Sequence, residues 1–341
     1  MCLHAIIAIG KIRGPALGKL RMRGVPTGVG GLAGRVAIFI GAGLLASAPA
    51  IPMARVAAAQ QPSTPTFASR ADLVVVHALV ENADGQAISG LTREAFTILE
   101  DGRPQEIAFF AEEDAPVDVG LIVDGSGSML AVRDRVIAAA GAFVALSHPD
   151  DRMFALVFTE HVWSALPPSA PFTADAAVLQ AALSSVLRPR GRTALHDAIL
   201  HGLGYIAAGT HLRKALIVVS DGADNASAAT FDQVLRRTQG SNAVIYTVAL
   251  SDPLERDANP GRLKRLAEAS GGEAFRPSRP EQIDDAMRHI ARDIRSSYTL
   301  GYMPANAVQD GRLRRIRVSV RSPDGRPLSV RTRQGYVVEV R

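Results

Sequence analysis

Between residues 117 and 297, short apolar runs alternate with longer segments of helical period. "VDVGLIVD" (117–124), "RMFALVFT" (152–159), "KALIVVSDG" (214–222) and "AVIYTVAL" (243–250) are nearly continuous in apolar residues. That is the pattern of strands covered on both faces of a parallel sheet. "HVWSAL" (161–166) reads as an edge strand. "LAVRDRVIAAAGAFVALS", "ADAAVLQAALSSVL", "ALHDAILHGLGYIAA", "TFDQVLRRTQ", "GRLKRLAEAS" and "PEQIDDAMRHIARDIRSS" read as helices between them. The alternation predicts an α/β domain, doubly wound, with a mainly parallel Rossmann-like sheet and helices on both faces.

The segments on either side have a different rhythm. Residues 71–116 contain "LVVVHALV" and "FTILEDGRPQEIAFF", a hairpin pattern turning at Asp101-Gly102. Residues 298–341 return to strand period: Ile316, Val318 and Val320 alternate with Arg317, Ser319 and Arg321, and a Pro-Asp-Gly turn follows. The two β segments are predicted to pair into one small β-sandwich-like domain with the α/β domain (117–297) inserted between them. Residues 94–118 carry eight acids and one Arg, and residues 312–341 carry nine Arg and two acids. Opposite charge favours that pairing weakly, because exposed pairs contribute on the order of 0–1 kcal/mol each.

Composition changes the picture at the N-terminus. The chain has 341 residues and a sequence pI near 9.7, which on its face suggests nucleic acid. Residues 1–59 hold seven Lys/Arg and no acid, leaving 31 bases against 33 acids in residues 60–341. The basicity belongs to the leader, and the nucleic-acid class loses its support. The leader reads as a secretory signal: Arg21, Arg23 and Arg35, then "VAIFIGAGLLASA", then Ala57 and Ala59 before Gln60. Met1 and Met22 are alternative starts. The rival reading is an uncleaved anchor at residues 36–54, which lack charge; only then is a membrane involved. Pro49 and Pro52 favour cleavage near Gln60, hence a periplasmic or extracellular protein behind the linker 60–70. Cys2 is the only cysteine, so the chain beyond the leader has no disulfide and no thiolate ligand or nucleophile.

The candidate chemistry lies at "DGSGS". A buried strand delivers Asp124 to its carboxyl end, where ligands sit in open α/β sheets. Ser126 and Ser128 follow, with Gly125 and Gly127 allowing a tight turn. These are hard oxygen donors, suited to Mg²⁺, Mn²⁺ or Ca²⁺ rather than a soft metal. Thr193 in "RGRTALHDAI" and Asp221 in "VVSDGADN" offer two further oxygens. Read alone, "DGSGS" fits a helix N-cap equally well.

D-x-S-x-S after a strand, a later Thr after a Gly-containing turn, and "SDG" after another strand together resemble a von Willebrand factor type A domain over residues 117–297. The resemblance implies a metal-ion-dependent adhesion site. Ser126 and Ser128 would bind the ion directly, Thr193 and Asp221 directly or through water, and Asp124 mostly through water. It also implies one divalent cation, Mg²⁺ foremost, and a protein ligand supplying an Asp or Glu carboxylate. "GLTREAFTILEDGRPQEIAFF", "YTLGYMPAN" and "RTRQGY" are similar to a bacterial secreted family called VWFA-related.

Two neutral hydroxyls leave such a cation under-neutralised and open to an outside anion. Amides of a helix starting near Met129 would favour that anion. Arg190 and Arg192, with Arg188, would either draw in an acidic partner or form a solvated loop face. The reading is a non-enzymatic, exported binding protein. One alternative is a structural envelope protein with a stabilising metal. The other is a metal-assisted hydrolase, for which His196 and Asp197 invite a triad with a serine. The G-x-S-x-G elbow is absent at Ser126, and no general base has a clear role. His148, His161 and His289 show no metal spacing, Trp163 reads as edge packing, and Asn225 as a loop stabiliser.

Overall fold

The computed structural model describes residues 73–112, 115–250, 258–306, 308 and 310–338. The leader, its cleavage point and the linker lie outside them. Among the described residues no helix is long and apolar enough to cross a membrane.

Chain order begins with β1 (Val74–Glu81), β2 (Phe96–Glu100), β3 (Arg103–Gln105) and β4 (Ile107–Ala111). The β2–β3 hairpin turns on Asp101 (φ 47°) and Gly102 (φ 82°), two left-handed residues of the kind a two-residue hairpin demands. The α/β domain follows as β5 (Val117–Asp124), α1 (Arg133–Ala145), β6 (Arg152–Phe158), β7 (Val162–Ser164), α2 (Ala176–Val186), α3 (Leu195–Ala207), β8 (Arg213–Ser220), α4 (Phe231–Gly240), β9 (Val244–Ala249), α5 (Pro260–Ser270), β10 (Ala274–Phe275) and α6 (Glu281–Ser296). The tail adds β11 (Tyr298–Tyr302), β12 (Leu313–Arg321), β13 (Pro327–Thr332) and β14 (Gly335–Val337).

The α/β sheet has the order β10-β9-β8-β5-β6-β7, parallel throughout except for the edge strand β7. Every residue of β5 and β8 is buried, as continuous apolar runs require when helices cover both faces. Val119, Leu121 and Val123 pack with α1, α2 and α6 on one face. Ile122 and Leu216 pack with α3, α4 and α5 on the other. From β5 the chain moves first to β6 on one side, then returns to β8 on the other. The order therefore reverses between β5 and β8, and their carboxyl ends define the crevice.

The flanking segments do pair: β1 with β11 and β13, β4 with β11, and β12 with β2, all antiparallel. The strand path is β3-β2-β12-β13-β1-β11-β4, with β14 joined to β12. The sequence pattern predicts a sandwich; the pairing makes a single path instead. Its two end strands are separated in the chain by Glu106 alone, so the path rolls up until its ends lie next to each other. Phe96 on β2 accordingly meets Phe110 on β4 (5.6 Å between centroids) and Tyr298 on β11 (5.0 Å) across one interior. The β12 alternation buries Arg314 as well as Ile316, Val318 and Val320. Arg314 donates to Asn306 O (3.0 Å) and Val308 O (2.6 Å) and pairs ionically with Glu100 (3.5 Å), which accepts hydrogen bonds from Tyr302 (2.7 Å) and Tyr336 (2.9 Å).

The α/β domain leaves this rolled sheet from β4 and re-enters at β11, two strands paired side by side (Ala111 with Thr299). His77 of β1 lines a small cavity with Val117, Arg213, Lys214 and Val244, residues at the starts of β5, β8 and β9. The rolled sheet thus packs at the amino ends of the parallel strands, and their carboxyl ends face away from it.

Candidate metal centre

At the carboxyl end of β5 the chain turns at Gly125, whose N–H donates to Phe158 O (2.7 Å). A Cβ there would lie 3.1 Å from that same oxygen, a tight contact that favours glycine at the turn. Asp124 lies behind the turn and is fully buried. Its Oδ1 accepts from Ser126 N (2.8 Å), and its Oδ2 accepts from Ser220 Oγ (2.6 Å). Burial pushes the Asp124 carboxyl up to about 6; the Ser220 and Ser126 hydrogen bonds pull it back, and the Asp221 charge adds to the rise.

In front of Asp124 three oxygens meet. Ser126 Oγ and Ser128 Oγ are 3.0 Å apart, and Ser128 Oγ donates to Asp221 Oδ2 at 2.7 Å. Asp221 follows directly on β8, and its Oδ1 accepts from Ala223 N (2.9 Å). The next residue, Gly222, has φ 85°, and a Cβ on it would lie 2.9 Å from the Asn259 backbone. Adjacent oxygens around Mg²⁺ at about 2.1 Å in octahedral geometry lie roughly 3.0 Å apart. The 3.0 and 2.7 Å spacings are therefore close to two edges of such a shell, and the donors are hard oxygens throughout. The residues fit a hard divalent cation.

Thr193 is brought to the same rim by its backbone. Arg190 N donates to Gly125 O (2.8 Å), and Ala194 N donates to Thr159 O (2.8 Å). Thr193 is buried, and its N–H donates to Asn225 Oδ1 (2.9 Å). Among the described residues no hydrogen bond joins its hydroxyl to the other four. Arg190 and Arg192 are exposed on this loop, and their guanidinium groups have no carboxylate partner among the described residues. Arg192 N donates to Glu160 (3.2 Å), and the Arg188 Nε donates back to Ser185 O (3.2 Å).

One expectation is corrected. No long helix starts near Met129: residues Gly127–Ala131 form a short 3-10 turn, and α1 begins at Arg133. Gly127 and Ser126 favour the tight turn that presents the hydroxyls, which delays the helix.

One residue of the site escaped the sequence pattern. Ser220 joins Asp124 to the Asp221 turn, accepting also from Gly222 N (3.0 Å). Only the β5–β8 register, with Val123 beside Val219, reveals it. His196 is turned to Asp224 Oδ2 (2.8 Å) and Ala229 O (3.1 Å), and no histidine touches either serine hydroxyl among the described residues. His289 does lie in a mixed cluster, with Glu273 and Asp293, whose ligand atoms fall within 4.8 Å of one another. Arg331 on β13 already pairs with both carboxylates, at 3.1 Å for Glu273 and more closely for Asp293. That cluster reads as an ionic clasp between α6 and the rolled sheet.

A cluster of hard oxygens at the switch point of a doubly wound, mainly parallel sheet defines the class of protein: an α/β domain whose candidate site lies at the carboxyl ends of its strands. The family model of the von Willebrand factor type A domain matches residues 118–289, half of the chain, and the chain belongs to that family. Among solved structures, a von Willebrand factor type A protein from Catenulispora acidiphila is similar at 14% identity (TM-score 0.47), covering 78% of this chain and 72% of that one. BatB from Bacteroides thetaiotaomicron is similar at 18% identity (TM-score 0.43; 52% and 97%). The vWF domain of the type V pili tip protein Mfa5 from Porphyromonas gingivalis is similar at 16% (TM-score 0.44; 54% and 96%). No curated protein matches the chain in sequence.

Proposed function

We propose that this chain is an exported, non-enzymatic binding protein that engages a protein ligand through one divalent cation, Mg²⁺ foremost. Asp221, Ser126 and Ser128 would hold the cation, with Thr193 completing the set and Asp124 orienting it from behind. The observation that carries this reading is the meeting of the Ser126, Ser128 and Asp221 oxygens at 2.7–3.0 Å, drawn from two separate strand ends. A cation bound there supplies an electrophilic position that an outside carboxylate can fill. Two of its nearest protein donors are neutral hydroxyls, so positive charge remains for that carboxylate. The exposed Arg190 and Arg192 lie on the loop hydrogen-bonded to the metal turn and favour an acidic partner. Family membership and the secretory pattern of the leader support the same reading. A hydrolase reading has less support: both Asp124 oxygens are occupied, and His196 serves another group.

The test is Ser126→Ala combined with Ser128→Ala, titrated with Mg²⁺ by calorimetry. Hydrogen bonds and ligand contacts to charged groups contribute about 1.5–3 kcal/mol each, so affinity should drop at least ~100-fold. Circular dichroism should be unchanged. Wild-type Mg²⁺ affinity in the double variant would refute the assignment.

A further inference from the structure

The segment after Asp221 runs back along the start of α3, and its contacts separate into two groups. The first group caps the helix. Ala194 at the N-cap position has no side chain to offer, so the exposed amides of the first turn are served from elsewhere. Asp224 Oδ1 accepts from His196 N (3.2 Å), and Ser227 Oγ accepts from Asp197 N (3.1 Å). Asp197 in return accepts from Ala228 N and Ala229 N, both at 2.9 Å. These bonds account for the helix end.

The second group has no part in that cap. Asn225 Oδ1 accepts from Thr193 N (2.9 Å), while Thr193 O accepts from Asn225 N and Ala226 N, both at 3.0 Å. Both polar groups of the Thr193 backbone are thus taken by a segment starting four residues beyond Asp221. Thr193 follows a loop containing Pro189 and a left-handed Gly191 (φ 78°), and its own N–H and C=O find their partners outside that loop. The Arg190–Gly125 bond ties that loop to the serine turn. The Asn225 ring of bonds ties it to Asp221.

We propose that Asn225 is a positioning residue for the cation centre, holding Thr193 at a set distance from Asp221. This rests on the cation reading above. Without the Asn225 side chain, Thr193 N–H loses its acceptor and Thr193 keeps only the bonds to its carbonyl from this segment, so its position at the rim loosens while the α3 cap stays in place. The role needs an acceptor at the Oδ1 position, which Asp retains and Ala lacks.

The experiment uses the full chain and Mg²⁺ alone as probe. Loss of a group that orients a ligand typically weakens metal affinity about 10–100-fold, which is expected for Asn225→Ala in calorimetric titration. Asn225→Asp should recover most of it. Asp197→Ala, which cuts the helix-capping group instead, should lower the melting temperature in EDTA yet leave Mg²⁺ affinity within about threefold, as expected of a separate group of contacts. In EDTA, hydrogen exchange at the Thr193 amide should accelerate in Asn225→Ala and stay slow in Asn225→Asp. Equal Mg²⁺ affinity for wild type and Asn225→Ala overturns the proposal, as does unchanged Thr193 exchange. If wild type binds no Mg²⁺ while Thr193 exchange still responds to Asn225→Ala, the cation reading is what has failed, and the positioning of Thr193 stands apart from it.

Discussion

Ser220→Ala is the most direct probe of how Asp124 is kept in place. The Ser220 hydroxyl is fully buried, donates to Asp124 Oδ2 at 2.6 Å and accepts from Gly222 N at 3.0 Å. Alanine removes one hydrogen bond to a buried carboxylate and orphans one amide, with no room for solvent to replace them. A hydrogen bond to a charged group contributes about 1.5–3 kcal/mol, so the cation-free protein should lose about 2 kcal/mol at pH 8. At an unfolding entropy of about 2.1 cal/mol/K per residue, that is roughly 3 °C in melting temperature for a chain of this size. The sign of the pH effect is a further check. Burial already raises the Asp124 carboxyl to about 6, and losing the Ser220 bond raises it more. Protonated Asp124 needs that donor less, so the loss should shrink as pH falls below 6. Thermal melts in EDTA at pH 5 and pH 8, with Mg²⁺ titration at pH 8, read all three effects. Mg²⁺ affinity should fall about 10–100-fold. A variant with wild-type melting at pH 8 and wild-type affinity would show that Asp124 needs no support from Ser220.

Two further outcomes are expected. His77 is buried at the junction of the rolled sheet and the parallel strands; burial, then Arg213 and Arg333, lower its pKa from 6.5 to about 3. The unfolded chain therefore binds the extra proton first, and stability should fall as pH drops through 6.5 towards 3, by about 2–3 kcal/mol at pH 4.5. Denaturant titrations of wild type and His77→Gln at pH 4.5 and 7.5 should differ in slope with pH; parallel profiles would discount His77. Gly222→Ala forces a left-handed residue and a clash with the Asn259 backbone, so it should destabilise the fold by at least ~1 kcal/mol and disturb Asp221. An unaltered midpoint in urea would argue against that geometry.

Legibility in the sequence followed the range of the interaction. β5 and β8 were readable because both faces are covered, which leaves a continuous apolar run in the chain itself. Asp124, Ser126 and Ser128 were readable for the same reason: their geometry is set within five residues by Gly125 and Gly127. The two-residue hairpin at Asp101-Gly102 was equally local. The rolling-up of the flanking strands was not. Nothing in "RPQEIAFFA" marks the point at which one extended segment stops pairing with β2 and starts pairing with β11; that switch depends on where both partners already lie.

By itself the sequence determined the alternating α/β core, the carboxyl-end oxygens and the left-handed turns, because burial and backbone sterics act between neighbours in the chain. Only the tertiary structure decided that Ser220 backs Asp124, that Asn225 accepts from the Thr193 amide, and that Arg331 occupies the carboxylates near His289. Those choices rest on strand register and on loops meeting across tens of residues, where distance in space has no trace in local pattern.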